Sequence, residues 1–322
     1  MRKKCLVVGL GQIGMAYDLS LDPARYISTH VRALSVHPAF ELSGAIDSSE
    51  KQRHMFEQHY KKPAFSSLSE SLRKIKPDVV VIATPTTTHL AVLDQVLGEC
   101  SPQAILCEKP LAYEPEEGTK MVEACDKTGT KLFVNYMRRS DSGSVELKRR
   151  IESGEISSPI KGVAWYSKGF LHNGSHLFNL MEFWLGEFEE AKVLSPGHFL
   201  NNQDSEPDVL VGFERGEVVF LAGWEEAFSH CTIELLSPSG RLRYDQGGGL
   251  IAWQPAETDP FISGYKMLKA GPEIIHNDMD RCQYHVADQL ANALGDRPFA
   301  LCTGKQALAT LEAMHKIIHP KK

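Results

Sequence analysis

The sequence predicts two different halves: a doubly wound parallel α/β sheet first, then an α+β region with an open, mostly antiparallel sheet. Three observations predict it. An apolar run, Cys5–Val8, leads directly into a glycine turn at Gly9, Gly11 and Gly14. A continuous Val/Ile run, Asp78–Ala83, is bounded by Pro77 and Pro85, as in a parallel strand buried on both faces. After Ser142 the pattern changes to short strand-prone segments separated by Gly, Pro and Ser turns.

In chain order the first half alternates strand and helix. The predicted elements are strand Cys5–Val8, a helix around His30–His37, strand Phe40–Ile46, helix Glu50–Tyr60, helix Leu68–Ile75 and strand Asp78–Ala83. Helix Thr88–Leu97, strand Ala104–Cys107, helix Pro115–Thr128 and strand Lys131–Val134 complete the sheet. The boundary falls near 138–142, which divides the chain into residues 1–138 and 139–322. A charged helix, Val145–Glu152, opens the second half. Strands follow at Ile160–Lys168, Phe188–Leu194, Val209–Phe213, Val218–Trp224, Cys231–Leu236 and Gly240–Asp245, with turns such as Pro238-Ser239-Gly240. Gly247–Gly249 reads as a turn, because neither a helix start nor a phosphate-binding Lys follows. Helices Met279–Leu294 and Thr303–Ile318 close the chain.

The glycine turn has a chemical reading. Gly9 permits a sharp turn off the strand, Gly11 lets backbone N–H groups approach a pyrophosphate, and Gly14 lets the following helix pack on the sheet. The N-terminus of that helix faces the anion. Strand before and helix after supply the context that a bare GxGxxG lacks, so Gly9, Gly11, Gln12, Ile13 and Gly14 are assigned to a dinucleotide. Asp47 ends the second strand and competes between two roles, acceptor for ribose hydroxyls and N-cap of the next helix. Its place at the strand end favours the ribose, where its charge repels a 2′-phosphate, and NAD is expected over NADP.

Composition bounds the partners. The 322 residues suffice for two domains; 42% hydrophobic and 24% charged residues are those of a globular protein, and a net charge of −6 gives no general affinity for nucleic acid or anionic membrane. The basic ends, Arg2–Lys4 and Lys321–Lys322, are too short to change this. The apolar segment after Met1 is too short for a secretory signal and no run reaches spanning length, so a cytoplasmic location is expected. Seven cysteines without a CxxC pair or a Cys/His cluster read as free thiols, and no metal site is expected.

Three motifs together carry a resemblance: Ile82-Ala83-Thr84-Pro85 with His89, Cys107-Glu108-Lys109-Pro110, and Asn135-Tyr136-Met137-Arg138-Arg139. The chain resembles the glucose-fructose oxidoreductase / inositol dehydrogenase (Gfo/Idh/MocA) family, in which a Rossmann half precedes an open-sheet half. The resemblance implies a nicotinamide cofactor across the strand ends and a sugar, polyol or nucleotide-sugar substrate against the second domain's sheet.

Within that frame, Thr84, Pro85 and Thr86 line the cofactor, His89 orders the turn, and Glu108 contacts the nicotinamide ribose, a role the resemblance favours over a salt bridge at the strand end. Lys109 alone would read as a surface residue; in Glu108-Lys109-Pro110 the family places it at the substrate, where it would hydrogen-bond the reacting hydroxyl and steady an alkoxide. The family pattern Asp-x-x-x-His matches His176, the expected general base. Four residues earlier stands His172 instead of Asp, either a second proton carrier or a packing residue, and Asn173 either binds substrate or caps the helix. Arg138 or Arg139 either binds an acidic substrate or forms a charge pair, and Tyr136 borders the site. The long segment Tyr17–Thr29, with His30, either reaches over the cofactor or forms a surface loop.

The expected activity is hydride transfer between a nicotinamide and a hydroxyl or keto carbon. The alternatives are an NAD-dependent glycosidase and a catalytically weak dinucleotide- or sugar-binding protein. A homo-oligomer, dimer or tetramer, built through the open sheet is expected because an uncovered sheet face needs burial.

Overall fold

The computed structural model describes residues 2–201, 204–224 and 227–319. Met1 and the basic C-terminal end Lys321–Lys322 lie outside them. The chain forms two compact units: Met1–Ser140 with Asp280–Leu311, and Asp141–Met279 with Glu312–Lys322.

The first unit is a seven-stranded sheet. Strands β1 (Lys3–Val8), β2 (Phe40–Ile46), β3 (Ala64–Phe65), β4 (Val79–Ile82), β5 (Ala104–Cys107) and β6 (Lys131–Val134) lie in the order 3-2-1-4-5-6, all parallel. Their Val, Ile and Leu side chains are buried on both faces, which is why the strands read as unbroken apolar runs. Helices α1 (His30–Val36), α2 (Glu50–Tyr60), α3 (Leu68–Ile75), α4 (His89–Glu99) and α5 (Pro115–Thr128) connect them. Two apolar clusters result. One packs Val7, Phe40, Val81 and Phe133 with Val31 and Leu34 of α1, and the other packs Leu6, Val80 and Ile105 with Leu72, Leu93 and Met121.

A single break at 138/139 does not describe this unit. The two-residue strand Cys302–Thr303 pairs antiparallel with β6, Cys302 against Val134. Val286, Ala287 and Leu290 join the first cluster and Ala307 the second, so residues 280–311 complete the α/β unit. Sequence patterning detects the apolar face of such a helix but not which core receives it.

The second unit begins with helix α6 (Ser142–Glu152), capped by Asp141, whose carboxylate accepts from Gly143 N and Ser144 N at 2.9 and 3.3 Å. Strand β7 (Ile160–Tyr166) leads to a π turn (Gly169–Gly174) and helix α7 (Ser175–Leu185). Strands β8 (Phe188–Ser195), β9 (Phe199–Asn201), β10 (Asp204–Ser205), β11 (Asp208–Phe213), β12 (Gly216–Ala222), β13 (Thr232–Ser237), β14 (Gly240–Asp245), β15 (Leu250–Thr258), β16 (Lys266–Leu268) and β17 (Glu273–Ile275) follow. Nine of these strands form one sheet, ordered 16-15-14-13-7-12-11-8 with β17 on β15; β9 and β10 pair separately. All pairs in the large sheet are antiparallel except β7 with β12. The open antiparallel sheet is as expected, and β15–β17 extend it beyond the predicted strands.

One face of this sheet carries Tyr166, Phe213 and Phe220, which pack with Phe170 and Phe178 as tilted and edge-on rings. Trp184 is buried, donates from Nε1 to Ser144 O at 3.0 Å and meets Tyr244 edge-on. Trp165 and Leu236, in the alternate register, remain exposed. Helices α8 (Cys282–Leu294) and α9 (Gly304–Ile318) end the chain.

Candidate active site

The strand order reverses at β1 and β4, and the glycine turn lies there. Gly9 N donates to Ile46 O and Ala83 N to Val8 O, both at 2.8 Å, which brings the C-terminal ends of β1, β2 and β4 together. In a doubly wound sheet this is where ligands bind. Gly9 adopts φ +101°, and a Cβ there would lie 2.6 Å from Ala83 O; a Cβ on Gly14 would strike Gly9 O. At Gly11, by contrast, an added Cβ meets nothing within 4 Å. The turn therefore has two glycines required by the backbone and one facing open space.

The helical stretch after the turn is a five-residue π turn, Gln12–Ala16, with Met15 N and Ala16 N both donating to Gly11 O. Gln12, Ile13 and Gly14 precede these donors, so their N–H groups have no intrahelical acceptor. A single turn still aims amides at an anion, without the field of a long helix.

Asp47 follows β2. Its Oδ2 accepts from Leu10 N at 2.7 Å and its Oδ1 from Ser49 N at 2.8 Å. The N-cap of α2 is Ser49, whose Oγ accepts from Gln52 N, so the capping role falls to Ser49 and Asp47 sits against the glycine turn. A carboxylate offers about four lone-pair sites, which leaves room for two ribose hydroxyls. Open turn, unsatisfied amides and this carboxylate together fit a dinucleotide.

Thr84 and Thr86 are half-buried and Pro85 exposed, where β4 gives way to a short 3-10 turn, Thr86–Thr88. The Thr88 hydroxyl lies 2.8 Å from Thr84 Oγ1 and 2.7 Å from Pro85 O. His89 is fully buried, with Nδ1 3.1 Å from Leu111 O and Nε2 3.0 Å from Thr84 O. Burial pushes its pKa down, against the pull of the Leu111 and Thr84 carbonyls. The neutral ring has one N–H and so satisfies one carbonyl at a time. His89 thus ties the loop after β4 to the loop after β5.

Glu108, at the end of β5, faces inward. Its Oε1 lies 2.7 Å from His30 Nε2 and 2.6 Å from Asn135 Nδ2, and its Oε2 accepts from Lys109 N at 3.3 Å. Burial pushes its pKa up, but His30, Asn135 and Lys109 outweigh it and hold the carboxyl below its ordinary value. An ionised Glu accepts only, so His30 donates through Nε2. Asn135 Oδ1 is buried without a partner among the described residues.

The buried His30–Glu108–Asn135 cluster was not legible as a unit. His30 stands 78 positions before Glu108, and the signal was the Ser28-Thr29-His30 cap signature before a helix. The segment 17–29 is no loose surface loop: Asp18 is fully buried and accepts from Ser28 N, Thr29 N and Thr29 Oγ1 at 2.7, 3.0 and 2.8 Å. Thr29 then caps α1 at Arg32 N and delivers His30.

Lys109 is half-buried directly after Glu108. Tyr136 is buried, and Arg139, also buried, donates from Nη2 to Gln306 Oε1 at 3.3 Å. In the second unit His172 is exposed on the π turn, and its carbonyl accepts from Ser175 Oγ at 3.0 Å. His176 is half-buried in the first turn of α7. The N-cap position of α7 is Gly174, with no side-chain cap, so Asn173 does not cap this helix. A cleft of about 910 Å³ lies where β6 begins, lined by Lys131, Phe133, Arg297, Phe299 and Lys305. It is at the opposite strand ends from the glycine turn and holds none of the predicted site residues.

Residues 3–136 match the model of the GFO_IDH_MocA oxidoreductase family, NAD-binding Rossmann fold. Over these residues the Rossmann unit is similar to the Gfo/Idh/MocA family. It is 33% identical over 144 residues to scyllo-inositol 2-dehydrogenase (NAD(+)) of Bacillus subtilis, covering 39% of this chain and 40% of that one. The inositol 2-dehydrogenase of Corynebacterium glutamicum is 26% identical over 299 residues, 84% of this chain and 85% of the other. The chain spans 40%, 29% and 44% of the length of the Bacillus, Rubrobacter xylanophilus and Salmonella paratyphi B relatives. Among solved structures, the WlbA dehydrogenase of Bordetella pertussis in complex with NADH and UDP-GlcNAcA superposes with TM-score 0.74 at 20% identity, covering 99% of this chain and 97% of that one. An NAD-binding oxidoreductase from Klebsiella pneumoniae gives 0.80 at 15% identity, covering 100% and 98%. At such identities the likeness is one of fold. Among the described residues, no helix is long and apolar enough to cross a membrane.

Proposed function

We propose that this chain is an NAD-dependent oxidoreductase acting on a hydroxyl or keto carbon of a sugar, polyol or nucleotide sugar. The observation that carries the reading is the glycine turn at the strand switch point, with Asp47 held against it by Leu10 N. The inositol dehydrogenases among its relatives and the UDP-sugar in the Bordetella complex support the substrate class.

When bound, NAD supplies the hydride acceptor. The glycine turn, with Gln12 and Ile13, binds the pyrophosphate; Asp47 holds the adenosine ribose and disfavours a 2′-phosphate; Thr84, Pro85 and Thr86 line the nicotinamide side, with His89 fixing their loop. Lys109 hydrogen-bonds the reacting oxygen and stabilises its developing negative charge. His176 takes the hydroxyl proton in oxidation and returns it in reduction, with His172 as second carrier. Glu108 acts from behind, as the anchor of His30 and Asn135. The protein works as a cytoplasmic homo-oligomer, dimer or tetramer, through the sheet face that exposes Trp165 and Leu236.

The test is mass spectrometry of gently purified protein for retained dinucleotide, with NADH absorbance followed across sugars, polyols and UDP-sugars for wild type, Lys109→Ala and His176→Ala. Turnover lost in both variants is the expected result. Bound NAD without turnover on any of these compounds, or turnover indifferent to both substitutions, overturns the assignment.

A further inference from the structure

His172 stands one turn before His176, and the structure brings a carboxylate distant in sequence to its backbone amide. Asp204, on β10, is 3% exposed. Its Oδ1 accepts from Leu171 N at 2.9 Å and its Oδ2 from His172 N at 3.0 Å. Gly169 has φ +85°, and a Cβ there would strike the Asp204 carboxylate, so glycine is what lets the acid close on the turn. Glu206, 1% exposed, holds the start of the same turn by accepting from Gly169 N at 3.0 Å.

The surroundings are charged as well as buried. Burial pushes the Asp204 pKa up while the amides of Leu171, His172, Ser205 and Phe170 oppose it. Tyr166 on β7 is pushed up by burial and then by Glu206, Asp208 and Asp204. His198 Nε2 lies 3.2 Å from Glu206 Oε2. Lys168 directly precedes the turn, and His176 follows it on α7.

We propose that Asp204 is a positioning residue for the His172–His176 segment: its carboxylate grips the Leu171 and His172 amides, orients the His172 imidazole and sets a negative charge behind it. A buried acid that merely closed a turn would fix the backbone; one placed behind a histidine also biases that ring toward its protonated form. The inference rests on the reading in which these histidines carry the substrate proton.

The test is Asp204→Asn in the full chain, which removes the charge and keeps the size. Histidine-labelled protein is titrated by NMR, the His172 ring being assigned from His172→Gln, and kcat and KM are measured across pH. The expected result is a His172 midpoint moved to lower pH, with kcat down by about a hundredfold and KM for NAD unchanged. Glu206→Gln, which loosens the grip on Gly169 N rather than on the Leu171 and His172 amides, should lower the melting temperature without moving that midpoint. If Asp204→Asn lowers only the melting temperature, the proposal is overturned. Should the Asn variant not fold, Asp204→Glu keeps the charge and must hold the midpoint while kcat falls; an unchanged kcat overturns the proposal too. A midpoint that moves in Asp204→Asn while His172→Gln and His176→Gln leave turnover intact supports the positioning and removes the catalytic reading instead.

Discussion

His30 Nε2 lies 2.7 Å from Glu108 Oε1, joining the first residue of α1 to the end of β5 inside the first unit. Both partners are nearly inaccessible, with side chains 3% and 11% exposed. His30→Ala leaves the Glu108 carboxylate short of a donor and should cost about 1–3 kcal/mol in chemical denaturation. A His30→Ala/Glu108→Gln double-mutant cycle should show a coupling above about 0.5 kcal/mol; strict additivity would contradict the pairing. Because Glu108 is held below its ordinary value of 4.5, its contribution is complete above that pH and is lost as pH falls through its lowered folded value.

The three glycines of the turn should separate on substitution by alanine. Gly9→Ala and Gly14→Ala force a Cβ onto backbone atoms and should lower the melting temperature, because neither Ala83 O nor Gly9 O can move without shifting a strand end. Gly11→Ala meets open space and should melt like wild type, while calorimetry shows weaker NAD binding because the methyl occupies the anion's approach. Equal losses of stability in all three would contradict this geometry.

Asp47→Ser removes two acceptors and a charge beside the turn. Loss of charged hydrogen bonds of about 1.5–3 kcal/mol raises the Kd for NAD by at least about tenfold. Discrimination against NADP should shrink, since a 2′-phosphate no longer meets a carboxylate. Calorimetry with both cofactors reads the two effects separately.

His89 gives a pH signature of its own. Burial lowers its folded pKa below the ordinary value of 6.5, so between the two values the unfolded chain binds a proton that the native protein does not. Stability therefore rises with pH in that window and is lost as pH falls below 6.5 toward the lowered value. His37, lowered mainly by burial as well, contributes with the same sign. In His89→Gln the slope of unfolding free energy against pH, measured by urea titration, should be shallower while that of His37 remains.

The α/β half was legible because its signals are local. Strands buried on both faces read as apolar runs, and a glycine turn directly follows one of them. Strand pairs such as Val8 with Ile46 and Ile82 follow once parallel order is assumed. The open sheet was legible as a type, from alternating strands and turns, but strands β15–β17 at one end of it were not. Only tertiary structure decided that Asp47 presses on Leu10 N rather than capping α2, that residues 280–311 complete the first unit, and that Glu108 turns to His30. It also decided that Asp204 lies on the amide of His172. Each is a contact between residues far apart in the chain, where geometry, burial and a scarcity of polar partners choose one pairing; the sequence by itself determined which elements form and which groups were available to pair.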